Sequence, residues 1–291
     1  MDFHPAGQIP GVYHRKVGDI VVTAISDGYD DGNLEFLRNV DLGRVHDLLV
    51  GAFRPVRRVS INAFLVRTKA GAVLIDTGAG GNLGPTSGWL VRNLAAAGLA
   101  PTDIVAILLT HMHPDHSAGL TNMQTGKAIY PNAELVMHEA ELRYWLDDAE
   151  LARASERTKP FFEGSRVQIA PYKARTRLFS TGEVMPGIFA MPIPGHTPGH
   201  TGYVISSGGE QLLIWGDVVH IPEIQIPLPD AGTHYDVDYE QATQTRKRIF
   251  DQAVSDRLLV AGMHLHYPGF HQLAREGDGY VLHAEAWQHE L

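Results

Sequence analysis

A short apolar segment that runs directly into a cluster of metal-ligand side chains constrains this chain most. Residues Ile104–Leu109 are aliphatic and rich in β-branched types, and His-Met-His-Pro-Asp-His follows one residue later at 111–116. A short apolar run before a His-Pro-Asp turn signal predicts a buried strand that ends in a loop. On a strand the first two histidines point the same way, whereas Asp115 and His116 lie in the turn and face a second point. Because imidazole nitrogen and carboxylate oxygen are ligands of zinc-like cations, this segment can serve two metal ions.

Further histidines and aspartates follow three later predicted strands. Gly187–Pro194 runs into Gly195–His200, Gln211–Trp215 runs into Asp217, and Arg257–Met263 runs into His264. Binding sites in layered α/β proteins form where strands end and loops begin, so we expect these side chains to meet. Five histidines and two aspartates at four strand ends are enough for two metal ions that share one carboxylate. A solvated histidine-rich loop would not explain why the first cluster follows a core strand.

The composition is that of an ordinary globular protein and argues against several kinds of partner and site. The 291 residues are 44% hydrophobic and 20% charged, which is ordinary for a soluble chain. A net charge of −9 argues against a nucleic-acid partner, and no apolar run is long enough to predict a membrane span. The chain has no cysteine, which excludes disulfides and thiolate ligands. Residues 1–7 show no signal-peptide pattern, so we expect a cytoplasmic protein, with a processed periplasmic or secreted form as the alternative.

The order of the predicted strands and helices is nearly the same in the two halves of the chain. Residues 60–125 and 186–270 each give a strand, a turn, a strand ending in an aspartate, a helix, and a strand ending in a histidine. The helix of the first half would begin at Thr86 or Ser87, and that of the second half at Asp238. Two such units facing each other predict a four-layer αβ/βα sandwich, with two facing mixed sheets and outer helices. We expect one domain over 1–291, with a first strand at Val17–Ser26 and an N-terminal extension and surface excursion over 1–58.

These motifs together resemble those of the metallo-β-lactamase superfamily. The matching elements are the H-x-H-x-D-H signature at His111–His116, the Gly-His-Thr-Pro-Gly-His element at Gly195–His200, the Asp-Thr-Gly turn at Asp76–Gly78, the bridging aspartate Asp217 and the late histidine His264. Residues 215–220 and 264–269 are most similar to the branch that holds methyl parathion hydrolase and related lactonases. That branch carries Pro-Phe-Pro-Gly where this chain has His266-Tyr267-Pro268-Gly269.

The resemblance implies two divalent metal ions per chain, zinc first, with manganese, cobalt and iron as alternatives. The first ion would be held by His111, His113 and His196, the second by Asp115, His116 and His264, and Asp217 would bridge them. Two metals about 3.5–4 Å apart share a water and lower its pKa, so the expected nucleophile is the shared hydroxide. Asp115 and Asp217 then belong to the catalytic set as ligands. His266 competes for the place of His264, which we favour because it follows the strand directly.

Three further residues have expected supporting or catalytic roles. Ligating imidazoles need an acceptor at their second nitrogen, and Asp76 and His200 match family positions with that role. The alternatives are a plain turn residue for Asp76 and a buried, hydrogen-bonded histidine for His200. The acyl-homoserine-lactone lactonases place a tyrosine three residues past the bridging aspartate, where it supports the substrate oxygen. This chain has His220 there, either as hydrogen-bond donor or general acid, or as a structural histidine.

Aromatic residues are the candidates for the wall of a substrate pocket. They are Phe64, Trp145, Phe161, Phe162 and Tyr267, with burial in the core as the alternative. Such a pocket suits a neutral, partly apolar small molecule.

The leading hypothesis is a lactonase, of the kind that quenches quorum sensing, with aryl-ester or organophosphate triester hydrolysis as side activities. The alternatives are a thioesterase of the glyoxalase II type and a mononuclear iron dioxygenase on the same fold. The main zinc β-lactamases carry cysteine where Asp217 stands, which argues against that activity. A homodimer is left open.

Overall fold

The computed structural model describes residues 7–54 and 56–291. Residues 1–6, which carry most of the segment judged for a signal peptide, and Pro55 lie outside the described residues. The strands are β1 (Val12–Val17), β2 (Ile20–Gly32), β3 (Leu37–Arg38), β4 (Arg57–Thr68), β5 (Gly71–Ile75), β6 (Ile104–Leu108), β7 (Thr121–Asn122), β8 (Lys127–Ala128), β9 (Glu134–His138), β10 (Thr176–Phe179), β11 (Gly182–Met185), β12 (Ile188–Pro192), β13 (Thr201–Ser207), β14 (Glu210–Ile214), β15 (Gly232–Thr233), β16 (Leu259–Ala261), β17 (Phe270–Glu276) and β18 (Gly279–Ala284).

The helices lie between these strands. The α-helices are α1 (Leu42–Gly51), α2 (Leu90–Ala96), α3 (Pro114–Ser117), α4 (Glu139–Leu146), α5 (Asp148–Arg153), α6 (Lys159–Ile169), α7 (Pro222–Gln225) and α8 (Tyr239–Ser255). Short 3-10 turns occupy Pro101–Asp103, Ala118–Leu120, Ala170–Arg175 and Gly216–Val218. No helix in the described part of the chain combines the length and apolarity that crossing a membrane requires.

Most strands of the described residues belong to two seven-stranded sheets. The first has the order β1-β2-β4-β5-β6-β9-β10, and the second has the order β11-β12-β13-β14-β16-β17-β18. Both are mixed: β5, β6, β9 and β10 run parallel in the first, and β14 and β16 run parallel in the second. Two small sheets pair β3 with β15 and β7 with β8.

Three apolar layers hold the sheets and helices together. The central core lies between the two sheets and includes Val22, Val66 and Leu108 from the first and Ile188, Ile205 and Ile214 from the second. On the outer face of the first sheet, α2, α4 and α6 contribute Leu94, Trp145 and Phe162. On the outer face of the second sheet, α8 contributes Ile249 and Phe250. The predicted four-layer αβ/βα sandwich is confirmed.

The parallel strands bring the functional segments to one edge. Ile75 of β5 pairs with Leu108 of β6, and Ile214 of β14 pairs with Ala261 of β16. Parallel neighbours end at the same edge of a sheet, so the chain leaves each pair at a shared point. The segments that follow carry Asp76 and the 111–116 cluster in one sheet, and Asp217 and His264 in the other.

The first strand differs from its prediction. Val17–Ser26 is not one strand, because Gly18, with a φ of 54°, turns the chain between β1 and β2. Both strands are hydrogen-bonded members of the first sheet. Residues 12–32 therefore belong to the sandwich, and the excursion begins only after Gly32. The single domain over 1–291 stays a prediction.

Candidate metal centre

The 111–116 cluster sits on a loop and the first turn of a short helix. Strand β6 ends at Leu108, so His111 and His113 do not lie on a strand, contrary to the prediction from the sequence. Pro114 occupies the first turn of α3, where its missing N–H needs no partner. The backbone N–H of His116 donates to the carbonyl of His113 at 3.0 Å. The ring of His116 packs on that of His111, with centroids 4.0 Å apart, and its Nε2 atom lies near the carboxylates of Asp115 and Asp217.

The first group of side chains consists of three buried imidazoles. Nδ1 of His113 lies 3.0 Å from Nε2 of His111 and 2.9 Å from Nε2 of His196. Nε2 of His196 lies 3.2 Å from Nε2 of His111. His196 comes from the loop between β12 and β13, so the group draws on both sheets. Three nitrogen atoms that converge in this way can hold one metal ion.

The second group combines two imidazoles with two carboxylates. Nε2 of His264 lies 3.2 Å from Oδ2 of Asp115 and 3.3 Å from Oδ2 of Asp217. Nε2 of His116 lies 3.2 Å from Oδ1 of Asp217 and 3.5 Å from Oδ2 of Asp115. These four residues form a second group that can hold a metal ion.

The Asp217 carboxylate lies between the two groups. Its Oδ2 atom is 3.4 Å from Nε2 of His196 and 3.7 Å from Nε2 of His111, in addition to its contacts with the second group. Together with His196 and His220, Asp217 also forms a third group of side chains that could hold a metal ion. A carboxylate with two oxygens is the side chain suited to link two cations.

The second nitrogen of each of four imidazoles has an oxygen partner. Asp76 Oδ2 lies 2.7 Å from Nδ1 of His116, and Asp236 Oδ1 lies 2.9 Å from Nδ1 of His196. The carbonyl of Ser60 lies 2.8 Å from Nδ1 of His264, and Thr110 Oγ1 lies 3.1 Å from Nδ1 of His111. Such partners fix the ring and leave the other nitrogen free to coordinate.

Asp236 was missed at the level of sequence, whereas the structure places Asp76 where it was expected. Asp236 belongs to the loop before α8, 40 residues from His196, and its carboxylate also accepts the backbone N–H of Thr233 at 2.8 Å. An isolated aspartate in a polar loop gives no sequence signal for this role. Asp76 accepts from both the backbone N–H and the hydroxyl of Thr110, at 2.8 and 2.7 Å.

His200 supports the Asp217 backbone and not a ligating imidazole, which differs from its predicted role. Burial lowers the pKa of His200 to about 3, so the ring is neutral. Its Nδ1–H donates to the carbonyl of Ile193 at 3.1 Å, and its Nε2 accepts the backbone N–H of Asp217 at 2.9 Å. A Cβ on Gly216 would lie 2.4 Å from that Nε2 atom, and Gly216 has a φ of 56°, so only glycine fits before Asp217.

His220 lies in the centre, and His266 does not. Nε2 of His220 is 3.2 Å from Oδ2 of Asp217, and its ring stacks on His264 with an interplanar angle of 19°. Neither ring nitrogen of His220 has an aligned hydrogen bond within the described residues. His266 instead pairs with Glu223 through Nε2. Between the two candidates for the late ligand, the structure brings only His264 to the cluster.

The electrostatics of the centre suit divalent cations. Burial, and then the charge of His116, lower the pKa of His111 well below its usual value, so its lone pair is available. Burial lowers the pKa of His264, but the Asp217 and Asp115 carboxylates outweigh it and raise that pKa to about 10. The carboxylates thus draw positive charge into a buried place. Nε2 of His116 and Oδ1 of Asp217 are buried without an aligned hydrogen bond in the described chain, an arrangement that costs about 1–3 kcal/mol per group unless a cation is bound.

A cavity of about 210 Å³ opens onto the cluster. Its wall is formed by Asp30, Phe36, Arg57, Val59, Leu83, His113, Pro114, Asp115, Phe161, Asp217, His220, Tyr235 and His264. Phe161 is the one predicted aromatic residue that lies on this wall. Phe36 and Tyr235 were missed, because neither lies near a metal-ligand motif in the sequence.

The other four predicted pocket residues lie elsewhere. Phe64 is fully buried between the sheets, and Tyr267 packs against the same core. Trp145 and Phe162 pack against each other under α4 and α6, with ring centroids 4.7 Å apart. Trp145 still contacts the site from behind, since its ring lies 5.4 Å from that of His113. Their apolar area is used in the core, which is the alternative the sequence had left open.

The chain is similar in sequence to a known protein family. The model of the metallo-β-lactamase superfamily matches residues 56–264. An N-acyl homoserine lactonase of a Bacillus species is 24% identical over 218 residues, which cover 68% of this chain and 78% of that protein.

Two solved structures are similar over nearly their whole length. The hydrolase AbOPH of the β-lactamase superfamily is 30% identical with a TM-score of 0.90, covering 97% of this chain and 100% of that one. AidC, a dizinc quorum-quenching lactonase in complex with the product N-hexanoyl-L-homoserine, is 27% identical with a TM-score of 0.91, covering 96% and 99%. The chain belongs to the metallo-β-lactamase superfamily of hydrolases.

Proposed function

We propose that this protein is a two-metal lactonase that opens the ring of N-acyl homoserine lactones or closely related neutral lactones. The observation that carries the proposal is the position of the Asp217 carboxylate between two complete groups of ligand atoms. The first ion would be held by His111, His113 and His196, the second by Asp115, His116 and His264, with Asp217 contacting both. Zinc is the first candidate because imidazole and carboxylate suit it.

The completeness of the second group favours this function over a mononuclear alternative. Asp115, His116 and His264 are all present, within 4.8 Å of one another together with Asp217. Two divalent metals bound at such a pair of sites lower the pKa of a shared water towards neutrality and polarise the substrate carbonyl. A mononuclear iron dioxygenase on this fold has no need of a second complete group.

His220 is the side chain we assign to the leaving oxygen of the lactone. Ring opening leaves an alkoxide that must gain a proton, and His220 lies on the cavity wall 3.2 Å from Asp217. Its backbone N–H donates to Gln225 Oε1 at 2.6 Å, which holds the residue in place. Burial lowers the pKa of His220, so the neutral imidazole would donate a hydrogen bond to the oxygen and would transfer a proton only after accepting one from the attacking water.

The wall of the cavity supports a neutral and partly apolar substrate. Phe36, Val59, Leu83 and Phe161 give it an apolar surface of the kind an acyl chain would contact. The charged residues away from the ligands, Asp30 and Arg57, pair with each other and cancel. AidC, the similar dizinc lactonase, was crystallised with an acyl homoserine product, which favours the same class of substrate for this chain.

Steady-state kinetics on one metal-replete preparation would test the assignment. The panel compares N-hexanoyl-homoserine lactone, an unsubstituted γ-lactone, p-nitrophenyl acetate, paraoxon and an acyl-coenzyme A thioester. We expect the acyl lactone to have the highest kcat/KM and the variant Asp217→Asn to lose that activity. A highest kcat/KM for the thioester or for paraoxon would assign the site to thioester or phosphotriester hydrolysis and overturn the lactonase proposal.

A further inference from the structure

A buried carboxylate outside the metal cluster joins the two loops that carry the first group of histidines. Glu141, on the first turn of α4, is 1% exposed. Its Oε1 atom accepts the backbone N–H of Met112 at 2.9 Å and the indole N–H of Trp145 at 2.6 Å. Its Oε2 atom accepts the hydroxyl of Thr197 at 2.6 Å and the backbone N–H of Gly199 at 3.0 Å. Each oxygen therefore has two donors.

These donors belong to the residues beside the proposed ligands. Met112 stands between His111 and His113 in sequence, and Thr197 follows His196 directly. The two loops come from different sheets, and a single side chain accepts hydrogen bonds from both. The Glu141 carboxylate thus links the backbone beside His113 to the backbone beside His196, in addition to the hydrogen bond from the Thr201 N–H to the Thr110 carbonyl at 2.9 Å.

The start of α4 packs closely against the loop Gly195–His200, and this packing explains part of the sequence of that loop. A Cβ on Gly199 would lie 2.3 Å from the backbone nitrogen of Glu141. The second glycine of Gly-His-Thr-Pro-Gly-His therefore makes room for the start of α4, and the threonine supplies a donor to its carboxylate. Gly199 and Thr197 are thus required at their positions for packing and hydrogen bonding, without any contact to a metal.

The buried carboxylate of Glu141 is stabilised by four hydrogen bonds from neutral donors and not by an ion pair. No lysine or arginine forms an ion pair with it among the described residues. Burial raises its pKa, and the four hydrogen bonds act in the opposite direction. A buried carboxylate is costly unless its lone pairs are filled, so the loops are held where their donors can reach it.

We propose that Glu141 is a positioning residue that sets the separation of His113 and His196, and hence the affinity of the first metal site. The inference rests on the proposed two-metal function. Glu141 lies behind the first group, and its hydrogen bonds reach no residue of the second group. Its loss should therefore weaken one site and leave the other.

The test is the variant Glu141→Gln, with Glu139→Gln as the matched control. The amide nitrogen cannot accept the two donors that meet one carboxylate oxygen, whereas Glu139 is exposed two residues earlier on the same helix. We expect two metals per chain in the wild type and in the control. In the Glu141 variant we expect one ion at unchanged affinity and one weakened by about 10–100-fold, the usual cost of losing a supporting partner.

The measurement is competitive titration with Zn²⁺ against a chromogenic chelator, followed by zinc anomalous diffraction from crystals grown at limiting metal. Diffraction identifies which site is depleted, and we expect it to be the site of His111, His113 and His196. If the Gln variant does not fold, Thr197→Val removes a single donor, and a smaller loss at the same site is expected. Unchanged affinities, or equal weakening at both sites, would overturn the inference. A wild type that binds fewer than two ions would overturn the proposed function itself.

Discussion

Nε2 of His220 lies 3.2 Å from Oδ2 of Asp217, and both side chains are on the wall of the cavity that opens onto the ligand cluster. The imidazole is therefore beside the one carboxylate that contacts both groups of ligands. In the proposed lactonase reaction, this position would let His220 contact the leaving oxygen of the lactone. His220 is outside the two groups proposed to hold the ions, but with His196 and Asp217 it forms a third group that could hold one, so metal analysis is needed to separate its role from that of a ligand.

Replacement of His220 by alanine should affect substrates according to their leaving group. We expect kcat for an acyl lactone to fall by about 10²-fold or more, the scale of one acid–base group. The loss should be much smaller for a p-nitrophenyl ester, because nitrophenolate leaves without a proton. Metal analysis of the same preparation should give unchanged content. Equal losses on both substrates would assign His220 a structural role.

Replacement of Asp217 by alanine should cost more activity than any other single ligand change. Its oxygens lie 3.2–3.7 Å from nitrogens of four proposed ligands, so both sites lose a contact at once. Asp115→Ala, which removes a carboxylate from the second group alone, is the comparison. Turnover and metal content measured in parallel decide the matter. An Asp217→Ala protein with both metals and near-normal turnover would show that the bridging assignment is wrong.

Removal of the metals should abolish lactone hydrolysis. Dialysis against a chelator should yield an inactive protein, and about two equivalents of Zn²⁺, Mn²⁺ or Co²⁺ per chain should restore turnover. The readout is activity plotted against added metal, with elemental analysis of each sample. A fully active preparation free of metal would contradict the two-metal mechanism.

Substitution of Asp236 by asparagine should weaken metal binding without touching a ligand. The carboxylate lies 2.9 Å from Nδ1 of His196, and partners of this kind contribute about 10–100-fold to metal affinity. Chelator competition gives the affinity directly. Asp256→Asn, at an exposed position after α8, is the control and should bind metal as the wild type does. An Asp236 variant indistinguishable from the control would remove it from the site.

Alanine substitution of the neighbouring residues Phe161 and Phe162 should affect different properties of the protein. Phe161 is on the cavity wall, so Phe161→Ala should raise KM for long-chain acyl lactones with little change in thermal unfolding. Phe162 is buried against Trp145, and Phe162→Ala should destabilise the fold by about 3–5 kcal/mol. Kinetics and calorimetry on the pair provide the test. A large loss of stability in the Phe161 variant would argue against its place in the pocket.

The ligand cluster was predictable because its residues follow strand ends, and parallel strands end together. The positions of Asp76 and Asp217 were predictable for the same reason, since each residue follows the end of a strand. The pocket was not predictable, since the sequence does not say which of two adjacent aromatic residues on α6 faces the cavity. Phe36 and Tyr235 reach it from segments with no metal-ligand motif of their own.

Long-range contacts account for the remaining differences. Helix α2 was expected to begin with Thr86 or Ser87 as its cap, yet it starts at Leu90. The buried Asp27, more than 60 residues away, accepts the N–H of Leu90 at 2.9 Å instead. Asp238, by contrast, caps α8 as predicted by accepting the N–H of Gln241 at 2.9 Å. Local capping is readable from sequence, whereas a cap supplied by a distant segment is not.

Each group of ligands takes atoms from the loops of both sheets, and this has a consequence for folding. The first group spans the chain from His111 to His196 and the second spans it from Asp115 to His264, so neither group exists until the two sheets have docked. Metal binding to such a site adds its free energy to the docked state alone. Contacts this distant in sequence form slowly, and the rate of metal uptake during refolding would therefore report the moment at which the halves of the sandwich close.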